Sequence, residues 1–287
     1  MSTAAIIVGV DGTPGSTQAV SWAAEAAVDR GAPLLLVHGL GMSELYRGQV
    51  VPPPEHLVIE LRNRGHQMLR QARDVAKAAE PRLQLSDDSA ESALIGLSGD
   101  ARMIVLGATG NTRVTAAFGR SVTLALATHA TCPVLSVRGD ELPDSLPVVV
   151  GVDGSALSEN AVDTAFAEAA ARGTYLVALH AWGTDQTTRV FGEVAAYYDW
   201  APSADSEAEV LAERLAGRRE HYPDLDVQHV VVRDDPRTAL LDWSHKAQLI
   251  VTGSRGRGGF TGLLLGSTSQ ALLHHAACPV LIARSTH

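Results

Sequence analysis

The chain has 287 residues, 46% of them hydrophobic, with 23 Lys and Arg against 32 Asp and Glu and a formal net charge of −9. That composition is too apolar for a disordered chain, and the length allows one large domain or two of about 140 residues. The acidic balance provides no global field for a phosphate backbone, so nucleic acid is not expected as a partner.

In chain order, Met1 to Val10 is apolar, has no basic residues before it and meets Asp11 at once, so it reads as a strand and not as a secretory leader. The segment Ile7-Val8-Gly9-Val10-Asp11-Gly12 recurs as Val149-Val150-Gly151-Val152-Asp153-Gly154, a shift of 142 residues. The same shift carries Arg30-Gly31 and the apolar run to His38 onto Arg172-Gly173 and the run to His180. Further on, Gly107 to Val134 superposes without a gap on Gly253 to Val280 at a shift of 146. A long repeat that occurs only twice is a tandem duplication of one domain, since solenoids need at least about three short units. The expected division is a first domain over 1–139, a linker over 140–147 and a second domain over 148–287. The linker is acidic and carries Pro143 and Pro147, as a spacer between two apolar strands should.

In the second half, strands are predicted at Val148 to Asp153, Tyr175 to His180, Val227 to Val232, Leu249 to Gly253 and Val280 to Ala283. These runs lack the polar alternation of half-exposed strands and read as covered on both faces. Helices are predicted at Ser158 to Arg172, Ser206 to Tyr222, Pro236 to Lys246 and Thr268 to Ala276. Strand, helix, strand at this spacing implies right-handed crossovers and an open parallel sheet. The fold class is therefore α/β, with two tandem five-stranded parallel-sheet domains of Rossmann-like type and helices on both faces. The stretch without Asp, Glu, Lys or Arg from Gly258 to Ala283 is broken by Gly, Ser, Thr, Gln and His, so no membrane span is expected. Cys132 and Cys278 are too few for a disulfide framework or a four-ligand zinc site, which makes a cytoplasmic location the expectation.

Sheets of this kind bind ligands beyond the carboxyl ends of their strands, where the strand order reverses. After the fourth strand of the second half comes Gly253-Ser254-Arg255-Gly256-Arg257-Gly258-Gly259, then a short apolar run to Gly266-Ser267-Thr268. Glycines let the backbone approach a bulky anion, and a helix start offers free N–H groups and the positive end of a dipole. Ser267 and Thr268 add hydroxyl donors, and Arg255 and Arg257 supply charge-assisted bonds to a polyphosphate. Asp153, at the end of the first strand beside Gly151 and Val152, suits an acceptor for ribose hydroxyls or an adenine amino group, or else serves only as a turn residue before Gly154. Asp11 stands equally in the first half.

Gly253-x-x-Gly256, nine residues, then Gly266-Ser267 resembles the ATP-binding pattern of the universal stress protein family. Val150-Gly151-Val152-Asp153-Gly154-Ser155, Leu179-His180-Ala181 and Ala277-Cys278-Pro279-Val280 resemble other parts of that family, and the likeness covers nearly the whole chain twice. The resemblance implies an adenine-nucleotide α-hydrolase-like fold, with ATP, with or without Mg, held by adenine contacts near Gly151, Asp153 and Ala181 and by phosphate contacts along Gly253 to Thr268. It also implies a stress-response regulator with at most slow ATP hydrolysis. The first-half counterparts are Gly9, Asp11, Gly107, Gly110 and Ser121. There, Arg120 stands in the register of Gly266, although Gly119 precedes it, so it either blocks a phosphate or clasps it with its guanidinium, and binding in the first half is expected to be weakened or lost. Asp87-Asp88 after the third strand is expected to disfavour a polyphosphate further.

No G-x-x-x-x-G-K-[ST] loop or G-x-S-x-G elbow occurs, and Lys77 and Lys246 fall in predicted helices. With no general base or lysine at the phosphate end, no residue is assigned a catalytic role, and the reading is a receptor. The alternatives are a slow ATPase or nucleotidyl-transferring enzyme, and a nucleotide-free scaffold. His274-His275 are not read as metal ligands, because consecutive helical residues diverge by about 100°. His38 and His180, at the ends of second strands, either stack on adenine or pack internally. Tyr197, Tyr198 and Trp200 in one half and Pro52-Pro53-Pro54 in the other are expected to shape different surfaces for an unidentified protein partner. The last-strand edges, Val134 to Val137 and Val280 to Ala283, invite pairing. The resemblance implies that the two halves pair there, leaving other surfaces for a homodimer.

Overall fold

The computed structural model describes residues 4–43, 54–108, 122–139, 143–155, 158–182, 203–256 and 265–284. Two compact units divide the chain, one ending at Arg138 and the other running from Gly139 to Arg284. The first contains β1 (Ala5–Gly9), α1 (Pro14–Asp29), β2 (Leu34–Gly39), α2 (Glu55–Val75), β3 (Arg82–Ser86), α3 (Ala90–Leu97), β4 (Ala101–Gly107), α4 (Val122–His129) and β5 (Val134–Val137). Its five strands run parallel in the order β3-β2-β1-β4-β5. The second contains β6 (Val148–Gly151), α5 (Glu159–Arg172), β7 (Leu176–Ala181), α6 (Ala204–Leu215), α7 (Arg218–His221), β8 (Val227–Val232), α8 (Pro236–Trp243), β9 (Leu249–Gly253), α9 (Ser267–His275) and β10 (Val280–Ala283). Its parallel order is β10-β9-β6-β7-β8.

Both units are thus α/β sheets whose order reverses beside the first strand, between β1 and β4 and between β6 and β9. Central strands are apolar on both faces because helices cover both. Ile6, Ile7 and Val8 are buried in β1, as are Val148, Val149 and Val150 in β6. On one face of the first sheet, Ile7, Ile104, Leu106 and Val134 pack with Ala93 and Leu94 of α3 and Leu126 of α4. On the other, the small side chains Ala19, Ala23 and Ala27 let α1 lie close to the strands.

Local chemistry fixes the helix ends. Thr13 caps α1 by accepting a bond from the Ser16 amide at 3.2 Å, and Pro14 opens it. Gly173 closes α5 with φ 62°. The helix expected over Ser206 to Tyr222 is two, α6 and α7, because Gly217 takes φ 81° and breaks the ladder. Part of the expected linker is tied to the second unit: Gln248 Nε2 donates to the carbonyls of Asp144 and Leu146, and Thr174 Oγ1 donates to that of Leu146. Among the described residues no helix is long and apolar enough to cross a membrane.

Candidate functional site

At the switch point of the second unit, the chain leaves β6 through Gly151, Val152 and Asp153. Gly151 is shaped by packing, since a methyl group there would stand 2.9 Å from Leu240 Cδ1 on α8. The Val152 amide donates to the Leu179 carbonyl at 2.9 Å and extends the ladder with β7. Asp153 then turns the chain by accepting, at Oδ1, the Ser155 amide at 2.9 Å and the Ser155 hydroxyl at 2.7 Å. Its other oxygen faces the loop after β9, where a methyl group on Gly256 would stand 3.0 Å from Oδ2. Asp153 and Gly256 therefore meet across the crevice.

The loop after β9 returns to a fixed point. The Gly266 amide donates to the Ser254 carbonyl at 2.8 Å, closing a ring of backbone, and Ser269 Oγ ties α9 to the Gly253 carbonyl at 2.7 Å. The first bond inside α9 runs from the Gln270 amide to the Gly266 carbonyl, which leaves the amides of Ser267, Thr268 and Ser269 without intrahelical partners. No acidic residue occupies that first turn. Three amides and a dipole terminus thus face the loop that carries exposed Arg255, an arrangement that favours an anion. Gly266 has φ −71°, and among the described residues a methyl group on it would meet nothing closer than 3.6 Å. Neither its backbone conformation nor the described neighbouring chain demands glycine there. Arg257 lies outside the described residues.

Beneath the crevice, His180 is completely buried. Its Nδ1 lies 2.6 Å from the Val152 carbonyl and its Nε2 lies 2.7 Å from Glu207 Oε2, on the first turn of α6. His180 is therefore a packed strand-end histidine and not a stacking surface. Both backbone polar groups of Val152 are engaged internally, so that residue supports the site from below instead of presenting polar groups to a ligand. Ala181, partly exposed at the end of β7, stays at the rim beside Trp182. Glu207 was not legible in the sequence: nothing in spacing links it to a histidine 27 residues earlier.

The first unit repeats part of this arrangement. Asp11 Oδ1 accepts the Thr13 amide at 2.9 Å and its hydroxyl at 2.7 Å, and His38 Nδ1 lies 2.6 Å from the Val10 carbonyl. Gly9 and Gly107 have packing reasons to be glycine: a methyl group would stand 2.5 Å from Leu106 Cδ2 at Gly9 and 2.2 Å from the Gly15 backbone at Gly107. Gly110, Gly119, Arg120 and Ser121 lie outside the described residues, as do Tyr197, Tyr198 and Trp200. The expectation that Asp87-Asp88 disfavours a polyphosphate is narrowed at Asp87. Asp87 is held by Arg62 at 2.8 and 2.9 Å, and it follows β3, an edge strand two places from the switch point. The His274 and His275 rings are 6.0 Å apart, and among the described residues no group of three or more His, Cys, Asp or Glu could hold a metal ion.

The universal stress protein family model matches residues 3–138 and again 146–284. Universal stress protein Rv2623 of Mycobacterium tuberculosis is 38% identical over 296 residues, covering 99% of this chain and 98% of its own. Universal stress protein Rv2005c of the same organism is 38% identical over 293 residues, covering 98% and 97%. Among solved structures, a universal stress protein from Archaeoglobus fulgidus matches with a TM-score of 0.72 at 18% identity, covering 98% of this chain and 97% of that one, which speaks for the fold. With two matches of the family model and these relatives along its length, the chain belongs to the universal stress protein family.

Proposed function

We propose that the second unit is a receptor for an adenine nucleotide, ATP, whose occupancy regulates a protein partner in a stress response. The observation that carries this reading is the bond from the Gly266 amide to the Ser254 carbonyl, beside three amides at the start of α9 without intrahelical partners and a glycine that packing among the described residues does not require. Phosphoryl oxygens would be received by the amides of Ser267, Thr268 and Ser269 and by Arg255. Across the crevice, Asp153 Oδ2 would accept a hydrogen bond from the sugar or base, with Ala181 at the rim. These groups bind charge that is already present in the ground state, which favours retention over turnover. Lys246 is stacked on Trp243, with Nζ 4.0 Å from the ring centroid, and does not serve the loop.

The test is the nucleotide content of the purified protein, released by denaturation and separated by anion exchange, compared with Gly266→Arg. The first carbon of the added side chain makes only ordinary contacts among the described residues, the nearest at 3.6 Å, so the variant is expected to fold and to lose on the order of 100-fold in affinity, about two charge-assisted bonds. ATP in the parent and none in the variant supports the reading. No ATP in the parent, and no binding when it is added, overturns it.

A further inference from the structure

We infer that His180 and Glu207 share one proton and act together as a positioning pair, which holds the Asp153–Ser155 turn in the shape that the ligand requires. The inference rests on the nucleotide reading above for its functional consequence and on geometry alone for the pair itself. A carbonyl oxygen only accepts, so the 2.6 Å approach of His180 Nδ1 to the Val152 carbonyl places a hydrogen on Nδ1. A histidine with hydrogen on Nδ1 alone would present a lone pair at Nε2. That lone pair would face the lone pairs of Glu207 Oε2 at 2.7 Å, which is repulsive. One proton must therefore lie between them, either as imidazolium beside carboxylate or as carboxylic acid donating to imidazole. His180 is fully buried and the Glu207 side chain is 13% exposed, so water does little to substitute for either partner.

The pair acts on the site through a single residue. Val152 gives its amide to Leu179 and its carbonyl to His180, and the next residue is Asp153. Fixing Val152 at both polar groups fixes the direction in which Asp153 leaves β6 and thus the aim of Oδ2 toward Gly256. Among the described residues the first unit does not repeat the second half of this device. His38 bonds to Val10 in the same way, but α2 brings Gly65 close, with a methyl group there 2.9 Å from His38 Cδ2, and no carboxylate bonds His38 among the described residues.

Glu207→Gln and Glu207→Ala separate positioning from simple docking of α6. The glutamine amide donates to Nε2 without needing a shared proton, whereas alanine leaves Nε2 unpartnered. In the parent, proton NMR is expected to show a strongly downfield His180 Nε2 hydrogen, absent from both variants. The backbone amide shifts of Asp153, Gly154 and Ser155 should move in Glu207→Ala and return in Glu207→Gln. ATP affinity, measured well below the unfolding temperature, should fall about tenfold in Glu207→Ala and stay within about twofold of the parent in Glu207→Gln. If the turn amides and the affinity of Glu207→Ala match the parent, the pair only docks α6 and the inference fails. A parent that binds no ATP but shows the downfield hydrogen and the amide pattern keeps the pair and removes the nucleotide reading. Absence of the downfield hydrogen together with unmoved amides overturns the pair whatever the nucleotide does.

Discussion

His38 and His180 occupy the same place in their units, and each closes the end of a second strand onto the carbonyl one residue past the end of the first. From there the units diverge. His180 is sealed under α6 by Glu207, while His38 remains partly exposed beneath α2. At the first position after the edge strands the charge is reversed: Asp87 is clamped by Arg62 in one unit, and Arg233 lies over Trp182, 5.4 Å from its ring centroid, in the other. The strand frame is common property, and each unit decorates the carboxyl ends of that frame separately. Duplication therefore preserved what buries area and left the crevice rims free to differ.

The comparison can be broken most forcefully at two glycines on either side of the loops after the fourth strands, Gly107 where the first unit's strand ends and Gly266 where the second unit's helix begins. Gly107→Ala would drive a methyl group to 2.2 Å from the Gly15 backbone, which cannot swing aside as a side chain tip can. A loss of about 3 kcal/mol in urea unfolding is expected. Gly266→Ala, with 3.6 Å of room, should change stability by less than about 0.5 kcal/mol. Equal costs would mean that both glycines serve packing.

A smaller effect sharpens the contrast between last strands. Ser136 of β5 is fully buried with its hydroxyl unpartnered among the described residues, and the repeat has Ile282 there. Ser136→Ala removes a polar group that gains nothing from burial, so the unfolding midpoint should rise, by about 1 kcal/mol in free energy.

The smallest effect separates the edge strands, where β3 presents Leu83 and β8 presents His229 in the same register. Burial, and then the nearby Arg219 guanidinium, holds His229 below its usual value of 6.5. The folded state thus prefers neutral His229, and its stabilising contribution is complete above the unfolded value and lost as pH falls below about 6.5. Because the residue is largely exposed, solvent screens the effect. Thermal unfolding between about pH 7 and 5 should therefore show a slightly steeper loss for the parent than for His229→Gln.

The sequence carried much of this frame because buried parallel strands are written as uninterrupted apolar runs. Leu249–Gly253 and Val280–Ala283 stand where that pattern put them, whereas Val227–Val232 is an edge strand with Gln228 and His229 exposed, so it is not covered on both faces as expected. The helix over 206–222 was misread because Gly217, one glycine in a helical pattern, does not announce a positive φ. At the site, the turn role of Asp153 was legible because turns restrict residue type at fixed intervals. Glu207 was not, since a carboxylate on a helix reads as a solvated charge until the helix is docked. Nor was the engagement of Val152, whose role lies in its backbone, where sequence is silent. Asp87 misled for a related reason: a charge takes its effect from its partner, and Arg62 lies 25 residues away.

Gln248 deserves a last consequence. By holding the carbonyls of Asp144 and Leu146 with one amide group, it makes the approach to β6 part of the second unit's own architecture. A fragment that begins at Val148 would strand that amide and the Thr174 hydroxyl at a raw edge. A fragment that keeps all three of these bonds therefore has to include Asp144, and a cut between Asp144 and Val148 would remove at least one of their acceptors.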